Sequence, residues 1–285
     1  MCAKLNLKNY NFKGKKALVR VDYNVPLNAE FQIQDTKRID ASLPTLRKIL
    51  DDGGSIILMS HMGRPKNKEY QLSLKHLIPY LNNVLPNVNI YFAPECIGEQ
   101  TKKIAESLRP GEILMLENVR FFHEEEAGDE EFAKELATYG DVFVCEAFST
   151  AHRNHATTAV IAKFFPNDKM YGFLMEKEID SLAKVMQNPK RPVTAILGGS
   201  KISSKIKIIT NLMTKVDNLI IGGGMDFSFQ KAMGGKIGKS LCEDDMVPIA
   251  KEILEKAEQS RVKTFILITS QSLSFFFHYQ VFQDR

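Results

Sequence analysis

Basic side chains follow several short apolar runs of this sequence, at the points where buried strands would end. The run IILM leads within a few residues to His61 and Arg64, and later runs lead in the same way to further arginines. Four residues share this placement: His61, Arg64, Arg120 and Arg153. A fifth basic residue, Arg38, opens the first predicted helix and joins this group. Because guanidinium groups bind carboxylate and phosphate through paired hydrogen bonds, their convergence predicts a site for a polyanion.

Two polar residues after the first strand extend this site. Asp22 and Asn24 are alternate residues of an extended segment, so their side chains share a face and are suited to hydrogen-bond a substrate hydroxyl. The alternative is structural: these two residues and His61 are also typical of turns. Arg120 has an alternative partner in the glutamates at 124–126. The shared position favours a binding site, because ligands of open α/β sheets lie beyond the carboxyl ends of the strands.

Glycine-rich turns follow two later runs, VTAIL and NLII, and the first turn leads to two lysines. The residues of these turns are Gly198, Gly199, Ser200, Lys201, Lys205, Gly222, Gly223 and Gly224. A helix that starts after the first turn would offer free N–H groups to a phosphate, with both lysines on one face near its start. A tight strand–helix turn with exposed lysines is the alternative. Neither turn matches GxxxxGK[ST] or GxGxxG, so the pattern suggests a nucleotide site without a known fingerprint.

The elements that must position these residues alternate between short apolar runs and longer amphipathic segments. Strands are predicted at 17–21, 55–59, 89–92, 113–116, 142–145, 193–197 and 218–221. Helices are predicted from Ile39 to Leu50, where Gly53 and Gly54 end the pattern, and at 73–83, 99–108, 130–139, 176–186, 204–213 and 246–260. This alternation predicts an α/β protein with doubly wound parallel sheets and helices on both sheet faces.

The pattern divides into two domains near a long helix and a segment that is rich in proline. We predict a first domain at 1–175, a hinge helix and linker at 176–189, and a second domain at 190–285. The tail from about residue 264, with three consecutive phenylalanines, is atypical for such a domain. We therefore expect the second domain to be incomplete.

Composition restricts the class of protein. The 285 residues carry a net charge of +4, which is too small to predict a nucleic-acid partner. The four cysteines are scattered without metal-ligand spacing, which favours a reduced compartment and argues against a zinc site. The amino terminus resembles no signal peptide, and no apolar run is long enough to cross a membrane. We expect a soluble cytoplasmic protein with no membrane partner.

Seven segments, in order along the chain, resemble the phosphoglycerate kinase family. They read RVDYNVPL, TKRI, SHMGRP, LENVRF, AFSTAHRNHAT, RPVTAILGGSKISSKI and IIGGGM. The resemblance implies two Rossmann-like domains that close around a hinge helix. It also implies reversible phosphoryl transfer from 1,3-bisphosphoglycerate to ADP, giving 3-phosphoglycerate and ATP in glycolysis. Mg²⁺ would arrive with the nucleotide, without protein ligands, and the family default is a monomer.

The same resemblance implies a role for each candidate residue. Asp22 and Asn24 would hold the glycerate end, and the five basic residues of the first domain would hold its carboxylate and phosphate. Arg38, Lys201 and Lys205 would contact the transferring group, and the glycine-rich turns would form the nucleotide-side walls. Phosphoryl transfer needs positioning and charge neutralisation, which these side chains can supply without a nucleophile.

Several residues depart from the family pattern. Glu146 and Ser149 stand where Asp and Gly are common, Ser200 and Ser204 flank the lysines where Ala and Asp are common, and Asp226 replaces an uncharged residue. After Lys263 the family pattern is lost. A non-catalytic protein that binds 3-phosphoglycerate through its first domain is therefore the alternative function. A nicotinamide-dependent dehydrogenase is disfavoured, because no GxGxxG follows the first strand.

Overall fold

Ten parallel strands, in two sheets, form the framework of the residues that the computed structural model describes, 5–187 and 189–267. The strands are β1 Leu5–Asn6, β2 Lys16–Arg20, β3 Ser55–Met59, β4 Ile90–Phe92, β5 Ile113–Met115, β6 Val142–Cys145, β7 Lys169–Tyr171, β8 Thr194–Gly198, β9 Asn218–Gly222 and β10 Lys263–Ile266. The chain divides into two compact units, Met1–Asp180 and Ser181–Arg285, which are described separately below.

Helices connect the strands in both units. The α-helices are α1 Lys37–Asp51, α2 Ile78–Val84, α3 Glu99–Ser107, α4 His123–Ala127, α5 Glu130–Ala137, α6 Phe173–Gln187, α7 Ile206–Met213, α8 Asp226–Ala232 and α9 Val247–Gln259. Short 3-10 helices occupy Leu7–Asn9, Tyr70–Leu72, Leu74–Leu77, Val119–Phe121, Phe148–Thr150, Ile161–Lys163 and Asp244–Met246, and a π-helical turn occupies Ala156–Val160.

The first unit contains a seven-stranded sheet in the order β1-β7-β6-β2-β3-β5-β4. Its central strands are apolar and buried, as strands covered on both faces must be. Alternate residues of β2 enter two different cores: Val19 packs on one face of the sheet and Leu18 on the other. Since all the strands are parallel, their carboxyl ends, and the side chains that follow them, lie at one edge.

The second unit contains a three-stranded sheet in the order β10-β9-β8. Leu219 and Ile221 of β9 are fully buried and pack with Ile209 of α7 and Phe229 of α8. The outer strand β8 is less covered, and the side chain of Ile196 is 72% exposed. The carboxyl ends of β8 and β9 are in register, with Gly198 paired to Gly222.

The predicted α/β architecture with parallel sheets is confirmed, and the differences lie at its edges. The sequence reasoning missed the short strands β1, β7 and β10 and the helices α4 and α8. Strands of two to four residues are too short to show an apolar run, and they exist because a neighbouring strand pairs with them. The predicted helix at 73–83 begins instead as a 3-10 turn, Leu74–Leu77, before α2.

The boundary between the two units falls inside α6, at Asp180 and Ser181. The predicted first domain ended a few residues earlier, and the hinge role of this helix stays a prediction. The tail at 268–285 lies outside the described residues, as does residue 188 of the predicted linker.

Candidate functional site

A buried arginine that sequence reasoning missed lies next to His61 in the first unit. Arg20 ends β2 and is only 1% exposed. Its Nε donates to Thr157 Oγ1 over 2.8 Å, and its Nη2 lies 3.3 Å from His61 Nδ1. Glu125 Oε1 is 3.8 Å from the same Nη2. The one signal in the sequence was an arginine inside an otherwise apolar run, LVRV, where a buried charge requires partners.

Glu125, also missed, supplies the counter-charge for this arginine. Its carboxylate is fully buried on α4 and accepts hydrogen bonds from the Thr157 backbone N–H and hydroxyl, at 2.8 and 2.7 Å. His155 Nδ1 lies 3.8 Å from the same carboxylate. The helix that carries Glu125 is five residues long and has a glutamate-rich sequence, so burial of one glutamate could not be read from its pattern.

His61 lies between two arginines and is a neutral hydrogen-bonding group. Its side chain is buried at the end of β3. Burial and the adjacent positive charges of Arg20 and Arg120 lower the pKa of His61 to about 3. The imidazole therefore carries no charge at neutral pH, and it can position a ligand oxygen but cannot neutralise an anion.

Arg120 anchors the loop after β3. Its Nη1 donates to the Gly63 carbonyl over 2.8 Å, and its Nε is 3.1 Å from Glu126 Oε1. The ion pair with a neighbouring glutamate, which the sequence left open as an alternative, is therefore present. The Arg120 side chain is only 6% exposed, so its main contact in this structure is with the protein.

The loop that Arg120 anchors presents Arg64. Gly63 has φ +63°, and a Cβ there would come within 2.8 Å of the Leu72 side chain, so only glycine fits without a shift. Asn24 Oδ1 accepts the Gly63 N–H over 2.8 Å, which ties this loop to the segment after β2. Arg64 follows directly and is exposed.

Asp22 collects three donors. Its Oδ2 accepts hydrogen bonds of 2.5 Å from Arg38 Nη1 and from Ser149 Oγ, and its Oδ1 accepts the Asn24 N–H over 3.2 Å. Burial alone would raise the pKa of Asp22, but the Ser149 hydrogen bond, the Arg38 charge and the Asn24 N–H together lower it below its usual range. Asp22 is thus an ionised acceptor that joins three separate segments.

Three of the candidate arginines of the first unit remain accessible to a ligand. Arg38 is half exposed although it pairs with Asp22. Arg64 and Arg153 form no side-chain hydrogen bond or ion pair within the described part of the chain. Burial lowers the pKa of Arg120, and the nearby positive charges of Arg153 and Arg20 lower it further. A dianionic ligand would relieve this repulsion.

The two glycine-rich turns of the second unit pack directly against each other. The Met225 N–H donates to the Gly199 carbonyl over 2.9 Å. Gly223 has φ +77°, and a Cβ there would lie 2.9 Å from the Gly199 oxygen. A side chain at Gly224 would similarly approach Ser200, at 3.2 Å from its Cα. The two glycine-rich turns, which were predicted to line the nucleotide, therefore lie together at the carboxyl ends of β8 and β9.

The two lysines do not lie on a helix, contrary to the spacing argument. The helix α7 begins at Ile206, and Lys201 and Lys205 belong to the turn before it. That turn is closed by the Lys205 N–H, which donates to the Ile202 carbonyl over 2.7 Å. Gly198 and Gly199 therefore do not directly precede a helix N-terminus. Lys205 still lies beside the first glycine turn, with its Cε 3.6 Å from the Cβ position of Gly199.

Asp226 is buried at the start of α8 without a partner. Neither of its carboxylate oxygens has a hydrogen-bond donor among the residues described. Burial raises the pKa of Asp226 to about 6. An ionised carboxylate in such a place is unfavourable, so Asp226 weakens the second unit at neutral pH.

The fold and the placement of these residues define a class: an α/β protein of parallel sheets, with basic side chains beyond the strand ends of one unit and a pair of glycine-rich turns with lysines in the other. The phosphoglycerate kinase family model matches residues 7–273. The phosphoglycerate kinase of Porphyromonas gingivalis is 45% identical over 94% of this chain and 69% of its own length. The cytosolic enzyme of Triticum aestivum is 48% identical over 90% of this chain and 63% of its own length.

A solved structure agrees with these relatives. The phosphoglycerate kinase of Coxiella burnetii superposes with a TM-score of 0.78 at 34% identity, covering 97% of this chain and 70% of that one. The chain belongs to the phosphoglycerate kinase family, a family of phosphotransferases that bind phosphoglycerate and adenine nucleotides. It spans about two thirds of the length of the relatives it matches.

The described residues contain neither a metal-ligand cluster nor a membrane-spanning helix. Within 5–187 and 189–267, no three His, Cys, Asp or Glu side chains come together as a metal-ligand group. None of the helices described is both long and apolar enough to span a bilayer.

Proposed function

We propose that this chain binds 3-phosphoglycerate and 1,3-bisphosphoglycerate through its first unit and ADP or ATP through its second. The reaction is reversible transfer of the phosphoryl group from 1,3-bisphosphoglycerate to ADP, as in the family to which it belongs. Mg²⁺ would enter with the nucleotide phosphates. The protein would act in the cytoplasm, as the cytosolic name of one relative also suggests. It would act as a monomer, which is the family default.

One observation carries the phosphoglycerate assignment: ionised Asp22 lies beside Arg38, with Asn24 and Arg64 on loops that are bonded to one another. Arg38, Arg64 and Arg153 would receive the carboxylate and phosphate. Asp22 would accept a hydrogen bond from the glycerate hydroxyl, since an ionised carboxylate can only accept. His61 would contribute a neutral hydrogen bond, and Arg120 would hold the Arg64 loop in place.

The nucleotide assignment depends on the glycine turns. The two glycine-rich turns pack against each other, so the surface that they form consists of backbone atoms and not of side chains. The first turn contains Gly198, Gly199 and Ser200, and the second contains Gly222, Gly223 and Gly224. A flat nucleotide group can approach such a surface closely. Lys201 and Lys205 would neutralise phosphates and the transferring group, which is the main requirement of phosphoryl transfer.

Calorimetry with two ligands tests the two halves separately. We expect 3-phosphoglycerate to bind to the wild-type chain, and Arg38→Ala and Arg64→Ala each to weaken that binding by at least about tenfold. Mg-ADP should bind independently, and Lys205→Ala should weaken it. Coupled ATP formation from 1,3-bisphosphoglycerate tests the whole reaction. Unchanged 3-phosphoglycerate affinity in both arginine variants would refute the site assignment.

A non-catalytic binder of 3-phosphoglycerate is the second candidate. It is favoured by Asp226, a buried carboxylate without a hydrogen-bond donor among the described residues that lies two positions after Gly224, because a negative charge near the glycine-rich turn opposes the binding of nucleotide phosphates. Binding of 3-phosphoglycerate without binding of Mg-ADP, and without ATP formation, would select this candidate over the kinase.

A further inference from the structure

Glu146 connects the phosphoglycerate site of the first unit to the start of α6. It follows β6 directly and is 1% exposed. Its Oε1 accepts a hydrogen bond of 2.5 Å from the Thr45 hydroxyl and one of 3.2 Å from the Leu174 N–H. Its Oε2 accepts the Met175 N–H over 3.1 Å. The Thr45 oxygen accepts the N–H of Phe173 in turn, over 2.9 Å.

These bonds satisfy the first three N–H groups of α6. We use the name Glu146 clasp for the group formed by Thr45, Glu146 and the N–H groups of residues 173–175. The first N–H groups of a helix have no partner within the helix and must find one elsewhere. The clasp leaves no spare room: a Cβ at Gly172 would lie 2.1 Å from Glu146 Oε2. Glycine at 172 is therefore required by the buried carboxylate.

Three of the segments that carry candidate ligand contacts reach the clasp. Thr45 lies on α1, two turns after Arg38 on the same helix. The Glu146 N–H donates to the Arg20 carbonyl over 2.8 Å, and Asp22 follows Arg20 by two residues. The loop after Glu146 carries Ser149, which bonds to Asp22, and then Arg153. A ligand that shifts or orders any of these segments acts on the clasp.

We propose that Glu146 is a positioning residue that couples occupancy of the phosphoglycerate site to the first turn of α6. This inference rests on the proposed phosphoglycerate site. A plain helix cap would stabilise α6 equally with and without ligand. A coupling residue instead makes the stability of that turn depend on the ligand, because the same carboxylate contacts both sides.

The same unit contains a matched control. Glu117 is also a buried glutamate that follows a strand of the sheet, and its carboxylate accepts the Ser73 hydroxyl and the Leu74 N–H, at 2.7 and 2.9 Å. It thus caps the 3-10 helix Leu74–Leu77 much as Glu146 caps α6. Glu117→Gln should cost stability in a similar way without touching α6.

Amide hydrogen exchange in the first turn of α6, measured with and without saturating 3-phosphoglycerate, tests the coupling. In the wild-type chain we expect the ligand to slow exchange of the amides at 173–175 by about tenfold. In Glu146→Gln the amide NH₂ would face a backbone N–H, and the ligand effect should disappear. Calorimetry should still find the 3-phosphoglycerate Kd within about threefold of wild type. Glu117→Gln should keep the full ligand effect.

Each outcome separates this inference from the proposed function. If the wild-type chain binds 3-phosphoglycerate in calorimetry but the exchange of α6 does not respond, or if Glu146→Gln responds like wild type, the coupling is wrong and the site stands. If 3-phosphoglycerate does not bind to the wild-type chain at all, the proposed function fails first. Should Glu146→Gln not fold, Thr45→Val must lose the ligand effect and Thr45→Ser must keep it, and any other result overturns the coupling.

Discussion

The two candidate anion sites are built from different parts of the chain. In the first unit, Arg20 at the end of β2 is paired with the buried Glu125, and Arg38 in the first turn of α1 is paired with the largely buried Asp22. In the second unit, glycine backbone forms the surface, and Lys201 and Lys205 form no side-chain ion pair within the described residues. The first candidate site is therefore partly preorganised without a ligand, through Arg20 and Arg38, whereas both lysine charges of the second candidate site depend on a ligand for neutralisation.

The largest expected effect tests the buried network of the first site. Arg20→Met leaves the Glu125 carboxylate buried without its counter-charge, and we expect a loss of about 3–5 kcal/mol in the free energy of unfolding of the first unit. Cys96 and Cys145 are buried in that unit, so the urea dependence of their thiol labelling, read by mass spectrometry, measures its stability.

Arg153→Met is the control for this variant, because the Arg153 side chain has no partner within the residues described. It should change the same free energy by less than about 0.5 kcal/mol. If both variants unfold at the same urea concentration, the Arg20 network contributes no special stability, and the contrast between a preorganised and an open site fails.

Much of the fold could be predicted from sequence, and so could the outline of the first site. Buried central strands such as β3 show a continuous apolar run, so their ends and the polar residues that follow them are visible. Arg20, Glu125 and Glu146 could not be assigned roles, because a buried charge is defined by partners that are distant in sequence. Thr157, for example, binds both Arg20 and Glu125 from more than 30 residues away.

The second site was harder to predict for a different reason. Four-residue spacing places Lys201 and Lys205 on one helix face only if the helix has begun, and α7 begins after both. The backbone contact between the two glycine turns follows from the parallel pairing of β8 with β9, which sequence patterns do not specify. Residue types thus predict a site made of side chains better than a site made of backbone.

The next largest effect concerns Asp226, which lowers the stability of the second unit in a pH-dependent way. Its pKa in the folded protein is raised to about 6, above its ordinary value of 3.8. The folded state therefore binds a proton more readily, so stability rises as the pH falls from above 6 towards 4 and changes no further below that. Asp226→Asn should stabilise the second unit at pH 8, by at most about 3 kcal/mol, and the gain should vanish near pH 4.

Hydrogen exchange of the β9 amides measures the stability of the second unit at each pH. Asp244→Asn is the control, because Asp244 is paired with Lys231 at 2.8 Å and its pKa is lowered. That substitution should not stabilise the unit. A stability gain for Asp226→Asn that is the same at pH 4 and pH 8 would show that packing, and not charge, is responsible.

A smaller effect distinguishes an arginine proposed to bind the ligand from an arginine that holds a loop in place, by comparing stability with 3-phosphoglycerate affinity. Arg64→Ala removes an exposed side chain with no protein partner in the described structure, so we expect unchanged stability and a loss of about 1.5–3 kcal/mol in 3-phosphoglycerate binding, measured by calorimetry. Arg120→Ala should instead lower both stability and affinity, because Arg120 bonds to the Gly63 carbonyl. Equal stability of the two variants would contradict this division of roles.

The smallest effect concerns Ser149, whose hydroxyl bonds to Asp22. Ser149→Gly removes one of the donors that outweigh the burial of Asp22, so the pKa of Asp22 should rise, as carbon-detected NMR titration of its carboxyl group can measure. The Arg38 pair and the Asn24 N–H remain, so Asp22 stays ionised at neutral pH. The affinity for 3-phosphoglycerate should therefore change only a few-fold, by about 1 kcal/mol or less.

The same variant should shift the pH dependence of stability. Since the pKa of Asp22 is lowered in the folded protein, its stabilisation is present at neutral pH and is lost as the pH falls through that pKa. Ser149→Gly should lose this stabilisation at a higher pH than wild type. Ser149→Thr keeps the hydroxyl and serves as the control. An unchanged Asp22 pKa in Ser149→Gly would mean that Arg38 alone sets the charge of this site, and that the first site has a single determining pair in place of a network.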